Sequence, residues 1–413
     1  MACHDFLLMN NNRNKILFVV PYNPLLGSKG PQGPKNVSEP LIGLVAAVHD
    51  VVLIVVSDDP ALDEAVLRSA FPALCEVHVC RPLSGRARRL ARLRYALSWL
   101  PPSLADGDSP ALPALLRKYA PTSDLVHFEY FTLAPSIAAV QPGRPVQLHC
   151  HDAYSLYQKR YLEQADGAGQ KIRALVRFLM FRHLEHRFFA KAAAALTVSP
   201  VDQQYLEQAG LTNVHYLPPA VREVAVPIAP GRDAMAVELL CVVPASHHQF
   251  QEDALRDFFR DTYPALARQF PGLRVTLFGK SARRLQVELL PYIEAEAVNF
   301  ADDYFAFLGS RNWIYFYPLR AGAGLHTKVR DAMAARLPVI GYTEIMDAFE
   351  GVNWQHYVAC TDPAAVGQGL AALLGEPALH KRIGEGGHRL LSERFSGANV
   401  LSAWERVSKG IKT

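Results

Sequence analysis

Cysteine is scarce and scattered in this chain: Cys3, Cys75, Cys80, Cys150, Cys241 and Cys360 are the six, and no two form a C-x-x-C pair. That spacing argues against a disulfide framework and against a structural zinc site. Long apolar runs are missing too. The most apolar region, 41–56, is cut by His49 and Asp50, and the start MACHDFLLMNNNRNK has too short an apolar stretch for a signal peptide. The expected location is therefore cytoplasmic, without a membrane span. Charge of one sign is not in excess either, since 43 Lys and Arg against 39 Asp and Glu leave +4 over 413 residues, and no general nucleic-acid binder is indicated. No repeat with a period of roughly 20–50 residues is evident.

What is present is the composition of a soluble globular protein, 50% hydrophobic and 20% charged, long enough for two or three domains. Residues 15–20 and 51–56 read as buried parallel strands, separated by the Gly/Pro loop GSKGPQGPK and a helix over about 37–49. Further strands are expected at 125–128, 146–149, 195–198 and 214–217 with helices between them, so this half reads as one doubly wound domain. The run LPPAVREVAVPIAPGRD, 217–233, has linker composition, and a second α/β domain follows with strands at 237–243 and 273–278 around a helix over 252–270.

The segment RNWIYFYPLRAGAGLHTKVRDAMAARLPVIGYTEIMDAFEG, 311–351, reads as strand, glycine loop, helix and strand. Gly322 and Gly324 let backbone N–H groups approach a ligand, and a helix opens near Thr327 with its positive dipole end at the loop. A phosphate would sit there. Lys328 in the first helical turn opposes the dipole by roughly 0.3–1 kcal/mol, which an intervening anion would reverse. Asp331, three residues on, either contacts that ligand or pairs with Lys328.

With these segments in order, the chain resembles a GT-B glycosyltransferase of the large group like family 4. SHHQFQEDALRDFF before VTLFGK, NFADDYFAFLGS, YPLRAGAGLHTKVRDAMAARLPVI, QLHCHDAYSLYQKRY and HLEHRFFAKAAAALTVSPVDQQYL carry the likeness over most of the length. The resemblance implies an α/β GT-B fold, two doubly wound Rossmann-like domains facing a central cleft: 1–217 on the acceptor side, with a terminal helix in 398–413 packing back on it, and 218–397 binding the nucleotide sugar. It implies sugar transfer from a UDP- or GDP-type donor, with retention, no obligatory metal and no cofactor. The acceptor would be a glycan, a lipid-linked precursor or a small molecule. Donor-binding candidates are Gly279, Lys280, Arg320, Gly322, Gly324, Leu325, Lys328 and Asp331, and catalytic candidates are His151, Asp152 and Lys328.

Departures from the family pattern keep other readings open. Two glutamates eight residues apart are common there, yet Ala323 and Asp331 occupy these positions; Pro219-Ala220 stands where Asn-Gly is usual, leaving Arg222 as the nearest polar candidate. A sugar-nucleotide epimerase and a non-catalytic nucleotide- or partner-binding subunit remain as alternatives. His149 and His151 share one strand face beside Asp152, which also resembles part of a metal ligand set whose remaining ligands are missing. Gly30, Gly33 and Lys35 in the first loop, and Arg160, are acceptor-side or loop candidates. Finally, Leu90, Leu93, Leu97 and Leu100 form a helical stripe beside Arg88, Arg89 and Arg92, and 171–190 is a second basic amphipathic segment. Such a stripe ordinarily faces a core; the alternative is peripheral contact with an anionic membrane.

Overall fold

The computed structural model describes residues 13–28, 32–165, 167–221, 226–243, 249–320 and 322–411. The chain divides into two compact units, Met1–Arg222 with Phe395–Thr413, and Glu223–Arg394.

The first unit is built on a seven-stranded parallel sheet of β1 (Lys15–Val20), β2 (Asp50–Val56), β3 (Glu76–Cys80), β4 (Leu125–Glu129), β5 (Val146–His151), β6 (Ala194–Thr197) and β7 (Val214–Tyr216), in the order β3-β2-β1-β4-β5-β6-β7. Continuous apolar runs such as ILFVV and VVLIVV suit strands covered on both faces. The first loop leads into helix Gln32–Val48, and the terminal helix Gly397–Gly410 packs beside it. Ser396 caps that terminal helix by accepting from Asn399 N, and Val400 and Trp404 are buried in one cluster with Leu41, Ile42 and Val45.

The leucine stripe does not face the core. In helix Gly85–Leu97 it is Ala91 and Tyr95 that are buried, whereas Leu90, Leu93 and Leu97 are exposed; only Leu100, beyond the helix, is inside. The polar partners of the inner face explain the orientation. Tyr95 donates to Asp108 Oδ1 at 2.9 Å and Arg88 pairs with Asp106 at 2.8 Å, which pins this side against the turn Pro102–Asp106. In helix Ala168–Phe188, likewise, Leu184 and Phe188 are buried while Ile172, Leu175, Val176 and Leu179 are exposed.

The second unit carries a six-stranded parallel sheet of β8 (Glu238–Val242), β9 (Val275–Phe278), β10 (Glu296–Val298), β11 (Trp313–Tyr317), β12 (Val339–Tyr342) and β13 (Val358–Cys360), in the order β10-β9-β8-β11-β12-β13. The helix expected over 252–270 runs from Gln249 to Gln269 with a π-helical stretch, Phe258–Thr262, in its middle. Pro264, which has no N–H to continue the ladder, is the second residue after that stretch. No helix among the described residues is long and apolar enough to cross a membrane.

Candidate active site

In the second unit the candidate residues gather where three strands end. β11 stops at Tyr317, and helix Thr327–Ala334 begins beyond the glycine-containing connection. The cap position, His326, makes no side-chain cap hydrogen bond, although Asp303 and Asp362 cap neighbouring helices of this unit. Among the described residues no side chain caps this first turn, a helix start of the kind that suits a bound anion. Gly322 is buried and needs its small size: a Cβ there would lie 2.5 Å from His326 Nε2 and 3.1 Å from Ile345 Cδ1. Gly324 has φ +69°, the left-handed region. The His326 ring is positioned through Nδ1, 3.0 Å from Tyr317 OH.

Charge at this turn is set by burial. Burial pushes the Lys328 ammonium below its ordinary value, with Asp331 pulling it back up. Burial likewise raises the Asp331 carboxyl, opposed by Arg330 and Lys328. Arg330, which sequence reasoning missed, is buried and holds Asp331 Oδ1 at 3.0 Å. Among the described residues Lys328 thus has no hydrogen-bonded carboxylate of its own, and Asp331 is committed to Arg330. Leu325 is buried, Ala323 half-buried, and Arg320 donates to Thr361 O at 3.1 Å with its guanidinium 4.8 Å over the Tyr342 ring.

At the end of β9, Gly279 has φ +136° and a Cβ would lie 2.4 Å from Val243 O, so β8 and this turn approach as closely as only glycine permits. Lys280 next to it is exposed.

In the first unit, a polar cluster lies inside an otherwise apolar sheet. The carboxylate of Glu129, 0% exposed, receives four donors: His127 Nε2 at 2.9 Å and His149 Nδ1 at 3.1 Å on Oε2, His151 Nε2 at 2.5 Å and Ser38 Oγ at 2.8 Å on Oε1. A carboxylate offers about four lone-pair sites, so the group is saturated. Burial by itself would raise the Glu129 carboxyl, but the attraction of His149 and His151 with the hydrogen bonds of His127 and His149 holds it well below the usual range. Burial lowers His149, with Glu129 opposing. Behind His127 stand Gln147 Oε1 at 3.1 Å and, from the terminal helix, Trp404 Nε1 at 3.5 Å.

The sheet register creates this cluster. β4 and β5 pair in parallel with Glu129 opposite His149, and alternate positions of both strands face the same side. His151 reaches the same carboxylate because the strand is irregular between His149 and His151 and His151 adopts φ +66°. Tyr130, just after Glu129, has φ +80°. Left-handed backbone at two adjoining strand ends in non-glycine residues is strain of the kind found at functional sites.

Of the metal set considered from sequence, His149 and His151 meet here but Asp152 does not join them; Asp152 is half-buried with its carboxyl pushed up by burial and by Asp202. Among the described residues, His127, Glu129 and His149 are a group with ligand-type atoms within 4.8 Å of one another, close enough for a metal ion. The pattern HFE of β4, two polar residues two apart in an apolar run, is the signal that would have found them.

Other first-unit candidates are spent differently. Lys35 is fully buried and its ammonium donates to Ser28 O at 3.1 Å and to Ser28 Oγ, which ties the loop to the first helix. Gly33 is exposed with open space around it, Arg160 is half-buried in helix Tyr154–Gln164, and Gly30 and Arg222 lie outside the described residues.

Buried Glu185 accepts from Ser155 N at 2.9 Å at the start of helix Tyr154–Gln164 and from the Ser155 hydroxyl. Burial raises its carboxyl from 4.5 to about 7, with Ser155 opposing. Between those values the folded chain holds a proton that the unfolded chain has lost, so this group's contribution to stability falls as pH rises through the window. Glu185→Gln is expected to remove that slope and to gain on wild type by on the order of 3 kcal/mol at pH 8 relative to pH 4. Parallel denaturation curves at the two pH values check it, and an unchanged difference would refute the proton assignment.

Residues 39–220 match a family model described as glycosyl transferase 4-like domain. No curated protein matches the chain. Among solved structures, Anabaena HepE in complex with UDP is similar with TM-score 0.62 at 14% identity, over 96% of this chain and 100% of that one. Sucrose-phosphate synthase from Thermosynechococcus elongatus gives TM-score 0.69 at 15% identity, over 97% and 99%. A glycosyltransferase from Rickettsia africae gives 0.60 at 14%, over 97% and 99%. At such identities the structural likeness speaks for the fold, and the domain match speaks for residues 39–220. The chain thus has the GT-B fold, two units each built on a parallel α/β sheet, and its residues 39–220 match a glycosyl transferase 4-like domain.

Proposed function

We propose that this protein transfers a sugar, with retention of anomeric configuration, from a UDP-sugar to the hydroxyl of a glycan, lipid-linked or small-molecule acceptor. The observation that carries the reading is the uncapped start of helix Thr327–Ala334, with Gly322 packed closely behind it and half-buried Lys328 in its first turn. As the bond from the anomeric carbon to the diphosphate breaks, negative charge grows on the leaving oxygens, and preorganised N–H groups with a partly desolvated ammonium stabilise that charge more than the ground state. Asp331 would accept from the ribose hydroxyls. HepE has been crystallised with UDP, with UDP and glucose, and with UDP-glucose, which supports uridine as the base. No metal is required by this scheme.

In the first unit, His151 would meet a substrate hydroxyl. Its Nε2 is tied to Glu129, which makes Nδ1 the ring atom able to accept from a substrate hydroxyl. We expect His151→Ala to lower transfer by roughly a hundredfold while UDP affinity stays within about twofold; an unaltered rate in a donor-consumption assay would remove His151 from the site.

Incubation with UDP-sugars tests the whole reading. Free UDP with acceptor-dependent transfer supports it, an altered sugar still on the nucleotide indicates epimerisation, and binding without turnover indicates the silent subunit that Ala323, in place of a glutamate, also fits.

A further inference from the structure

The two outward stripes of the first unit have one chemistry. In helix Gly85–Leu97 and the residues after it, Leu90, Leu93, Leu97 and Trp99 are 66%, 56%, 76% and 57% exposed. The leucines fall within a narrow sector of the helix opposite buried Ala91 and Tyr95. Arg89 and Arg94 flank that sector on either side, Arg86 extends it at the helix start, and the sequence GRARRLARLRYAL has no acidic residue. The nearby acids, Asp106 and Asp108, are already engaged by Arg88, Arg92, Arg94 and Tyr95, while Arg86 and Arg89 form no ion pair among the described residues.

Helix Ala168–Phe188 repeats the arrangement. Ile172, Leu175, Val176 and Leu179 are exposed opposite buried Leu184 and Phe188, with Lys171, Arg173, Arg177, Arg182 and Arg187 exposed around them. The two helices are linked by packing: helix Gly85–Leu97 rests on Pro102–Asp106, this turn on Phe131–Ala139, and the latter on helix Ala168–Phe188.

We infer that these outward helix faces of the first unit are docking surfaces for an anionic lipid bilayer. A cationic helix with an apolar stripe and low overall hydrophobicity is the pattern of a helix lying in the headgroup region, leucines toward the acyl chains and arginines at the phosphates. Trp99 at the end of the stripe has the side chain that prefers this boundary. Charge decides between occupants. A second copy of this chain would bring its own arginines against these, whereas an anionic membrane is complementary to every cation on these faces. The inference stands on the exposed faces alone and does not depend on the sugar-transfer reading.

The test is sedimentation of the full chain with vesicles of phosphatidylcholine, and of phosphatidylcholine containing roughly one third phosphatidylglycerol. Pelleting should require the anionic lipid and weaken with salt, and tryptophan emission should shift to the blue in wild type but not in Trp99→Phe. Leu90→Ser, Leu93→Ser and Leu97→Ser combined should lower vesicle affinity by about tenfold or more, and Arg86→Gln with Arg89→Gln by several-fold. All five positions are exposed, so the melting curve of each variant serves as the folding control. Absence of anion-dependent pelleting, or unchanged pelleting of the triple serine variant, overturns the inference. A wild-type mass in light scattering that is dimeric and becomes monomeric in the triple variant also overturns it, giving the face to a second copy.

Discussion

Glu129→Ala is expected to cost the first unit about 3–5 kcal/mol of stability, the largest effect of any single change considered, because it removes the common partner of four buried donors. The three imidazoles would lose their acceptor at buried positions, whereas the Ser38 hydroxyl can turn to Pro34 O at 2.9 Å, and an unmade buried hydrogen bond costs more than a made one contributes. Glu129→Gln separates charge from shape. An amide keeps the volume but turns one acceptor oxygen into a donor group, so it too should destabilise, by less than alanine. Acid should act in the same direction on wild type: burial lowers His149 below 6.5, so under that pH the unfolded chain binds a proton the folded chain refuses, and stability falls. This slope is opposite in sign to that of Glu185. Chemical denaturation monitored in the first unit measures all three quantities. A loss smaller than about 1 kcal/mol for Glu129→Ala would mean the cluster is hydrated and its donors have other partners.

Lys328→Ala is expected to weaken UDP binding by about 1.5–3 kcal/mol, roughly 10- to 150-fold in dissociation constant. The free protein should behave in the contrary way. Burial already disfavours the Lys328 ammonium and Asp331 is engaged by Arg330, so Lys328→Met should leave the ligand-free protein as stable as wild type or more so. The site would then be one where a charge is kept at a cost to folding for the sake of a ligand, as expected when function opposes stability. Calorimetry with UDP and melting curves with and without UDP give both numbers. Equal UDP affinity in Lys328→Ala would place the diphosphate somewhere other than this turn.

The two sites differ in how far they could be read from the sequence. The donor-side turn is local. Its strand, Gly322, Gly324, Lys328 and Asp331 lie within twenty residues, and glycine placement with the switch from strand to helix suffices to put them together. The Glu129 cluster is not local, since Glu129 and His149 become neighbours only through the pairing of β4 with β5, and His151 joins them only through a strand irregularity that residue types do not announce. Arg330 was missed for a related reason: a charged residue at 7% exposure is invisible until its partner is known. The short strands β3, β10 and β13 escaped because three to five residues carry too little periodicity.

The sequence by itself determined the alternation of apolar strands with helices, hence parallel sheets, and the glycine turn that opens onto a helix start. These follow from backbone preference and the two periods, which act within a few residues. The tertiary structure alone decided which carboxylate the three histidines share and on which side of helix Gly85–Leu97 the leucines lie. Periodicity fixes that residues share a face but not which way the face turns; in this protein the inward pairs of Tyr95 with Asp108 and Arg88 with Asp106 made that choice and left the leucines outside.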